Sequence, residues 1–265
     1  MSDHLASDRF MSARVLSRAI GFASLATVLV VWELAARHRL VNPVLMPPPS
    51  AIAAALRSMI ASGDILPPIL HTVALFVVGY ALACVLGISI GLWMGRSSFA
   101  YGLLEPLVEL LRPLPKSALV PALFLFLGIG MTTMITVVVF AALFPVLINT
   151  FQGVRGIDPV LLDTARTFRC GRWRIAWSVI LPAALPSILT GMKVALSLGL
   201  VLAILAEMLA GLNGLGFVIL DAQRSFQTSN MYAWIVIVAA LGAVLSLAFD
   251  KIERMVVPWR GNEFD

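Results

Sequence analysis

Long apolar runs separated by short polar segments organise this chain. The first run covers about Ala19 to Ala36, and the second about Ile69 to Met94, closed by Gly95 and Arg96. A third, Ser117 to Leu127, is short and draws on part of the segment before it. Thr132–Thr150, Ile188–Leu209 and Tyr232–Ala248 complete the series. Every run but the third reaches the roughly 17–25 residues that a helical bilayer crossing needs. The pattern predicts an all-α integral membrane protein with six transmembrane helices.

The polar segments divide the chain further. Residues 1–18 form a basic leader with Arg9, Arg14 and Arg18, and 19–36 form the first transmembrane helix. That helix lacks a small-residue cleavage site and is followed by Arg37, His38 and Arg39, so it reads as an uncleaved span. Glu33 falls near its outer end, where a carboxylate reaches the interface. Residues 37–68 form an external connector stiffened by NPVLMPPPS, with Ser50 placed to cap a short helix reaching Ile60. The core covers 69–250 with five helices, and 251–265 form a tail with Lys251, Arg254 and Arg260. Gly79, Gly87 and Gly91 recur at spacings of eight and four, which favours close packing between spans.

Ser97 to Lys116 reads as amphipathic rather than spanning, because Glu105, Glu109, Arg112 and Lys116 interrupt it. It ends in RPLPKSALVP, where Pro113, Pro115 and Pro121 oppose a regular helix. Cytoplasmic segments 1–18, 95–118, 151–183 and 251–265 then hold fourteen of the nineteen Lys and Arg residues. The outer segments hold four, Arg37, Arg39, Arg57 and Arg224, and Lys193 lies within a span. This asymmetry predicts both termini in the cytoplasm.

Composition excludes a soluble protein: 60% of residues are hydrophobic and 12% charged, with mean hydropathy +0.97. The net charge of +5 therefore reflects loop topology and not nucleic-acid binding. Cys84 sits in an apolar run and Cys170 in an arginine-rich loop, so both read as free thiols. His4, His38 and His71 have no metal-ligand spacing, and no metal is expected.

The longest polar interruption is DPVLLDTARTFRCGRWRIAWSVILPAALP, Asp158 to Pro186, with Arg155 just before it and Arg166, Arg169, Arg172 and Arg174 within it. Asp158 and Pro159 form a helix start. Leu161, Leu162, Ala165 and Phe168 then share one face, opposite Asp163, Arg166 and Arg169. Gly171 is placed to close this helix, and Pro182 and Pro186 punctuate the return to apolar sequence. On composition alone the stretch is an ordinary Arg-rich cytoplasmic loop. Its motif reverses that reading.

The stretch resembles the coupling loop of binding-protein-dependent ABC importer permeases, whose motif is E-A-A, three residues, G, nine residues, I-x-L-P. The matching positions are Asp163, Thr164, Ala165, Arg169, Val179, Leu181 and Pro182. Asp163 keeps the usual charge. Arg169 stands where the family has Gly, so the expected bend moves to Gly171. The likeness runs over roughly Pro47 to Gly261 and is nearest to permeases of the nitrate, sulfonate and taurine importers. It rests on MPPPS (Met46–Ser50), RPLP (Arg112–Pro115), LGIG (Leu127–Gly130), Asn149–Thr150, LPAALPSILTGMKVAL (Leu181–Leu196), AEMLAGLNGLG (Ala206–Gly216) and PWRG (Pro258–Gly261). Lys116 replaces a further proline usual in that subfamily.

The resemblance implies a type I ABC importer permease fold in a bacterial inner membrane. It also implies a homodimer enclosing a path for a small anion, an ABC ATP-binding subunit dimer, and a periplasmic or lipoprotein substrate-binding protein. Surrounding lipid is the remaining partner, and no nucleic acid is expected. Asp163, Thr164, Ala165, Arg166, Arg169, Gly171, Leu181 and Pro182 would carry the coupling to the ATPase. The residues agree with that division of labour. A phosphate-cradling loop needs G-x-x-x-x-G-K-[ST], and no Gly-Lys pair occurs in the sequence. The chain itself then carries no cofactor, and ATP belongs to the partner chain. HExxH and paired buried carboxylates are absent, which argues against an enzyme. The alternative, a stand-alone secondary transporter or channel, would call for internal repeats or charged, unwound midplane helices, and Lys193 alone answers that description.

Lys193 and Glu207 lie in the fifth apolar run, where a mid-bilayer charge costs about 2.5–3.5 kcal/mol on insertion scales. Lys193 is near enough to the cytoplasmic end to snorkel. Their separation is about 21 Å along a helix, so they cannot pair, yet they share a face. Two roles are open for Glu207: an outer gate on a translocation path lined by that face, or a cap on backbone amides of the 211–216 loop.

Overall fold

The computed structural model describes residues 20–258 apart from residue 22. The leader 1–18, Ala19, and the end of the tail with Arg260 lie outside the described residues. The described residues form helices and turns and no strand. The chain divides into two units, Met1–Gly63 with Asp221–Trp234, and Asp64–Leu220 with Ile235–Asp265.

In the first unit, α1 covers residues 20–37 and α2 covers Pro49–Ser62. Trp32 meets Tyr232 edge-to-face with ring centroids 6.0 Å apart. The connector is therefore largely helical. Ser50 lies inside the first turn of α2 and does not cap it; Pro48 holds the cap position. The free amide of Ser50 instead donates to Glu33 at 3.0 Å, and its hydroxyl donates to the same carboxylate at 2.8 Å. A side chain from α1 thus satisfies a helix start that the local sequence leaves open. Arg37 closes the group by pairing with Glu33 at 2.5 Å.

The second unit holds α3 (Leu66–Arg96), α4 (Ser98–Leu111), α5 (Lys116–Leu127), α6 (Met131–Arg155), α7 (Pro159–Thr167), α8 (Arg172–Ile175), a π-helical turn (Ala176–Ile180) and α9 (Leu181–Ala210). Helix α10 (Leu215–Arg224) begins in it, and α11 (Thr228–Val256) ends in it, so Lys251 and Arg254 are helical rather than in a loose tail. Helices α3, α6, α11 and the continuous stretch Arg172–Ala210 are each long and apolar enough to span a membrane.

Small residues set the register between spans. A Cβ added to Gly79, Gly87, Gly91 or Gly95 would stand 2.7, 2.9, 2.7 or 2.5 Å from the Cβ of Val138, Val146, Thr150 or Val154 respectively. Each pair is 59 positions apart, so α3 and α6 run parallel and touch along four turns of small-against-branched packing. Gly191 packs on Asn149 and Gly153 on Ser187, which makes α9 antiparallel to α6. The core between these three helices includes Leu75, Phe76, Val137, Val138, Leu196 and Leu200.

Parallel α3 and α6 require the chain to cross back between them. Helices α4 and α5 make that return, bent by 97° at residues 112–115. The third span, expected as Ser117–Leu127 with part of the segment before it, corresponds to this bent pair. Glu105 and Glu109 lie on α4, Arg112 follows it at the break, and Lys116 opens α5. The prolines Pro113 and Pro115 make the break by removing backbone donors.

The fifth span also begins earlier than Ile188. Pro182 and Pro186 do not interrupt it, because the π-helical turn just ahead absorbs the misfit. Pro182 can donate nothing to the Ser178 carbonyl, and a wider turn there relieves the clash of its ring with the preceding turn.

Candidate functional site

The coupling stretch folds into a capped helix, a tight reversal and a second helix. Asp158 accepts the Val160 amide at 2.9 Å, and Pro159 opens α7, as the local sequence dictates. Asp163 and Arg166 pair across one turn at 2.9 Å on the exposed side. Thr164 returns its hydroxyl to the Val160 carbonyl at 2.7 Å.

The reversal is at Arg169, not at Gly171. Arg169 has φ +51°, its amide donates to the Arg166 carbonyl, and the Cys170 amide donates to Ala165. These two bonds make a Schellman cap whose left-handed residue is ordinarily glycine. Arginine therefore takes the glycine conformation in place. Gly171 is extended at φ −64° and caps α8.

The expected apolar face is split by what it packs against. Leu162 packs against Val154, Ile157, Ile180, Ala184 and Ile188, and Ala165 is buried. Leu161 and Phe168 remain exposed, Phe168 at 76%, and Trp173 beside them is 78% exposed. Between α7 and the π-helical turn lies an open pocket of about 550 Å³ lined by Leu161, Thr164, Ala165, Phe168, Cys170, Val179 and Pro182, among others. The fold thus gathers Thr164, Ala165, Val179 and Pro182 around one concave surface. Asp163, Arg166 and Arg169 stand outside that lining, as do Gly171 and Leu181.

Glu207 sits elsewhere, fully enclosed at 0% exposure. The Thr72 hydroxyl lies 2.8 and 2.9 Å from its two oxygens. The Gly216 amide donates to the carboxylate at 3.0 Å, and His71 Nδ1 is 3.2 Å away. Thr72 in turn accepts the Leu215 amide at 2.9 Å. Glu207 and Thr72 thereby cap the opening amides of α10, and a carboxylate at that helix end is favoured by its dipole. Of the two roles open to Glu207, the amide cap is the arrangement present. Lys193 does not snorkel free. Its ammonium pairs with Asp250 of α11 at 2.7 Å.

Three groupings escaped the sequence reading. His71 and Thr72 meet Glu207, Asp250 meets Lys193, and Arg112, Lys116 and Asn149 line a second pocket of about 410 Å³. The last had a signal, two cations among prolines inside an apolar stretch, which the reading took for a surface turn.

A model of the family described as binding-protein-dependent transport system inner membrane component matches residues 83–261. The chain belongs to that family. The permease is 31% identical to the taurine transport system permease protein TauC of Escherichia coli, over 96% of this chain and 94% of that one. It is 30% identical to a putative aliphatic sulfonates transport permease protein SsuC of Bacillus subtilis, over 89% and 86%. It is 28% identical to the nitrate import permease protein NrtB of a Synechocystis strain, over 68% and 66%. A chain of the inward-facing MetNI methionine ABC transporter shares its fold, with TM-score 0.61 at 20% identity over 71% of this chain and 93% of that one. The protein is thus a multi-pass inner-membrane permease subunit of an ABC importer, with the type I importer fold. It is a transport subunit rather than an enzyme, and its family works with ATPase and substrate-binding partners. Nothing in these likenesses favours a stand-alone secondary transporter.

Proposed function

We propose that the permease imports a small oxyanion, taurine, an alkanesulfonate or nitrate, as a homodimer driven by a separate pair of ATP-binding subunits. ATP is bound by those subunits, and a periplasmic or lipoprotein receptor delivers the substrate. The substrate class is supported by the relatives that carry those names. Taking Arg112 and Lys116 into a crossing leaves twelve Lys and Arg on the inner side against four outside. That balance supports termini in the cytoplasm.

The observation that carries the coupling role is the open pocket between α7 and the π-helical turn. Exposed Leu161 and Phe168 around a concavity form an apolar docking surface, and the exposed Asp163–Arg166 pair on the same helix offers polar contacts. Force on α7 would pass through Leu162 to α6 and α9, which it packs against.

Co-purification of the tagged permease with its ATP-binding subunit tests this reading. Leu161→Asp should abolish recovery of that subunit while the permease remains in the membrane. Asp163→Ala with Arg166→Ala should weaken recovery severalfold. Full recovery with Leu161→Asp would place the coupling surface elsewhere.

A further inference from the structure

The break between α4 and α5 holds a pocket that the coupling role does not use. Arg112, Lys116, Phe144, Asn149, Val194 and Leu198 contribute to its wall, and its volume of about 410 Å³ is within the range of small-molecule sites.

Its depth follows from the helices that line it. Asn149, in its wall, stands eighteen residues after the start of α6 at Met131, about 27 Å along that helix. Val194 and Leu202, also in the wall, stand sixteen and eight residues before the end of α9 at Ala210. Those offsets are about 24 and 12 Å along the helix. The pocket therefore lies within the spanning region, toward the end of α6 that leads into α7.

Its charge is unusual for that depth. Lys116 donates to the Arg112 carbonyl at 2.6 Å and lies over the Phe144 ring at 5.2 Å. No carboxylate of the described residues stands within ion-pair distance of it. Arg112 has one carboxylate contact, Glu109 at 3.5 Å. Lys193, by contrast, is matched by Asp250 at 2.7 Å. Cations within a membrane span pair with a counter-charge or a backbone carbonyl or face a water-filled cavity, and Lys116 combines one carbonyl with open space.

Two further features point the same way. Helix α5 starts at this break with no side-chain cap, so its opening amides add a partial positive charge beside the cations. Asn149 uses one amide hydrogen on the Pro145 carbonyl at 2.8 Å, and its second remains for a ligand. A guanidinium, an ammonium and an amide around one space match the several acceptor oxygens of a sulfonate or nitrate.

We propose that Arg112, Lys116 and Asn149 form an oxyanion-binding station in the inner part of the translocation path. The station rests on the importer reading above and gives it a substrate contact within the permease. The anion would leave its receptor, bind the two cations at the break, and be released inward when α4 and α5 change their angle. Binding need only be moderate, since a station that holds its ligand tightly blocks transit.

The test uses the complete importer, permease, ATP-binding subunit and receptor, in proteoliposomes. Uptake of radiolabelled taurine, ethanesulfonate and nitrate is measured beside receptor-stimulated ATP hydrolysis. Lys116→Gln and Arg112→Gln should each lower uptake at least tenfold while ATP hydrolysis stays within twofold of wild type. Lys116→Arg, which keeps the charge, should retain most uptake. Wild-type uptake in both glutamine variants would overturn the station and leave the importer reading intact. Loss of ATP hydrolysis together with uptake would assign these residues a structural role, and would equally overturn it. A wild-type complex that hydrolyses ATP but moves none of the three anions would overturn the anion reading itself, and the station with it.

Discussion

Glu207 and Lys116 are both ionisable residues within spanning segments, and the fold treats them in opposite ways. Glu207 is closed off and answered on every side by Thr72, His71 and the Gly216 amide. Lys116 lies in an open pocket with a carbonyl and an aromatic face but no counter-charge. A buried polar group with all its partners holds a fold together. One left without a counter-ion beside open space is available to something that passes. The difference separates a structural charge from a working one, although both have the same sequence signature.

Mutation can break that comparison. The largest effect should come from Gly216→Ala, because the added carbon would overlap the Ile204 carbonyl oxygen and crowd Glu207. No monodisperse permease should be recovered after detergent extraction. Next is Glu207→Ala, which strands the Gly216 amide and the Thr72 hydroxyl in a buried site at a cost of about 3–5 kcal/mol. The melting temperature of the purified permease should fall accordingly, whereas Lys116→Gln should leave it nearly unchanged. Equal melting shifts for the two would remove the distinction. Glu207→Gln keeps one acceptor oxygen. If it transports normally and receptor-stimulated ATP hydrolysis persists, no gating charge is needed at that position.

The Lys193–Asp250 pair sharpens the contrast from a third side. Lys193→Ala alone leaves Asp250 uncompensated, and adding Asp250→Ala should recover stability, with a coupling of about 0.5–3 kcal/mol in a double-mutant cycle. Additive losses would mean that the 2.7 Å contact contributes nothing. The smallest effect is expected at the reversal after α7. Arg169→Gly removes a side chain from a left-handed position and should stabilise the loop by up to about 1 kcal/mol. Normal recovery of the ATP-binding subunit would accompany it, and a lower melting temperature would show that the arginine side chain contributes more than its backbone strain costs.

Much of the coupling helix was legible beforehand because its determinants are local. Asp158, Pro159 and the spacing of Leu162 and Ala165 act within one or two turns. The reversal was misassigned for a local reason too. Gly171 is the residue that bends at no cost, yet the hydrogen bonds of Cys170 and Arg169 place the left-handed turn two positions earlier. The third run was legible as a crossing, and its 97° bend was not. The parallel register of α3 and α6 requires a return between them.

By itself the sequence determined the apolar runs, the capped helix of the coupling stretch, the absence of a phosphate-binding loop and the family. These follow from residue periods and short motifs, whose physics is confined to neighbours along the chain. Tertiary structure alone decided which charges meet. Thr72 and Glu207 are 135 positions apart and share one hydrogen-bonded cluster, Lys193 finds Asp250 on another helix, and Lys116 finds no carboxylate among the described residues. In a membrane the cost of a charge depends on what stands beside it rather than on where it falls in the chain, and that neighbour is supplied by helix packing.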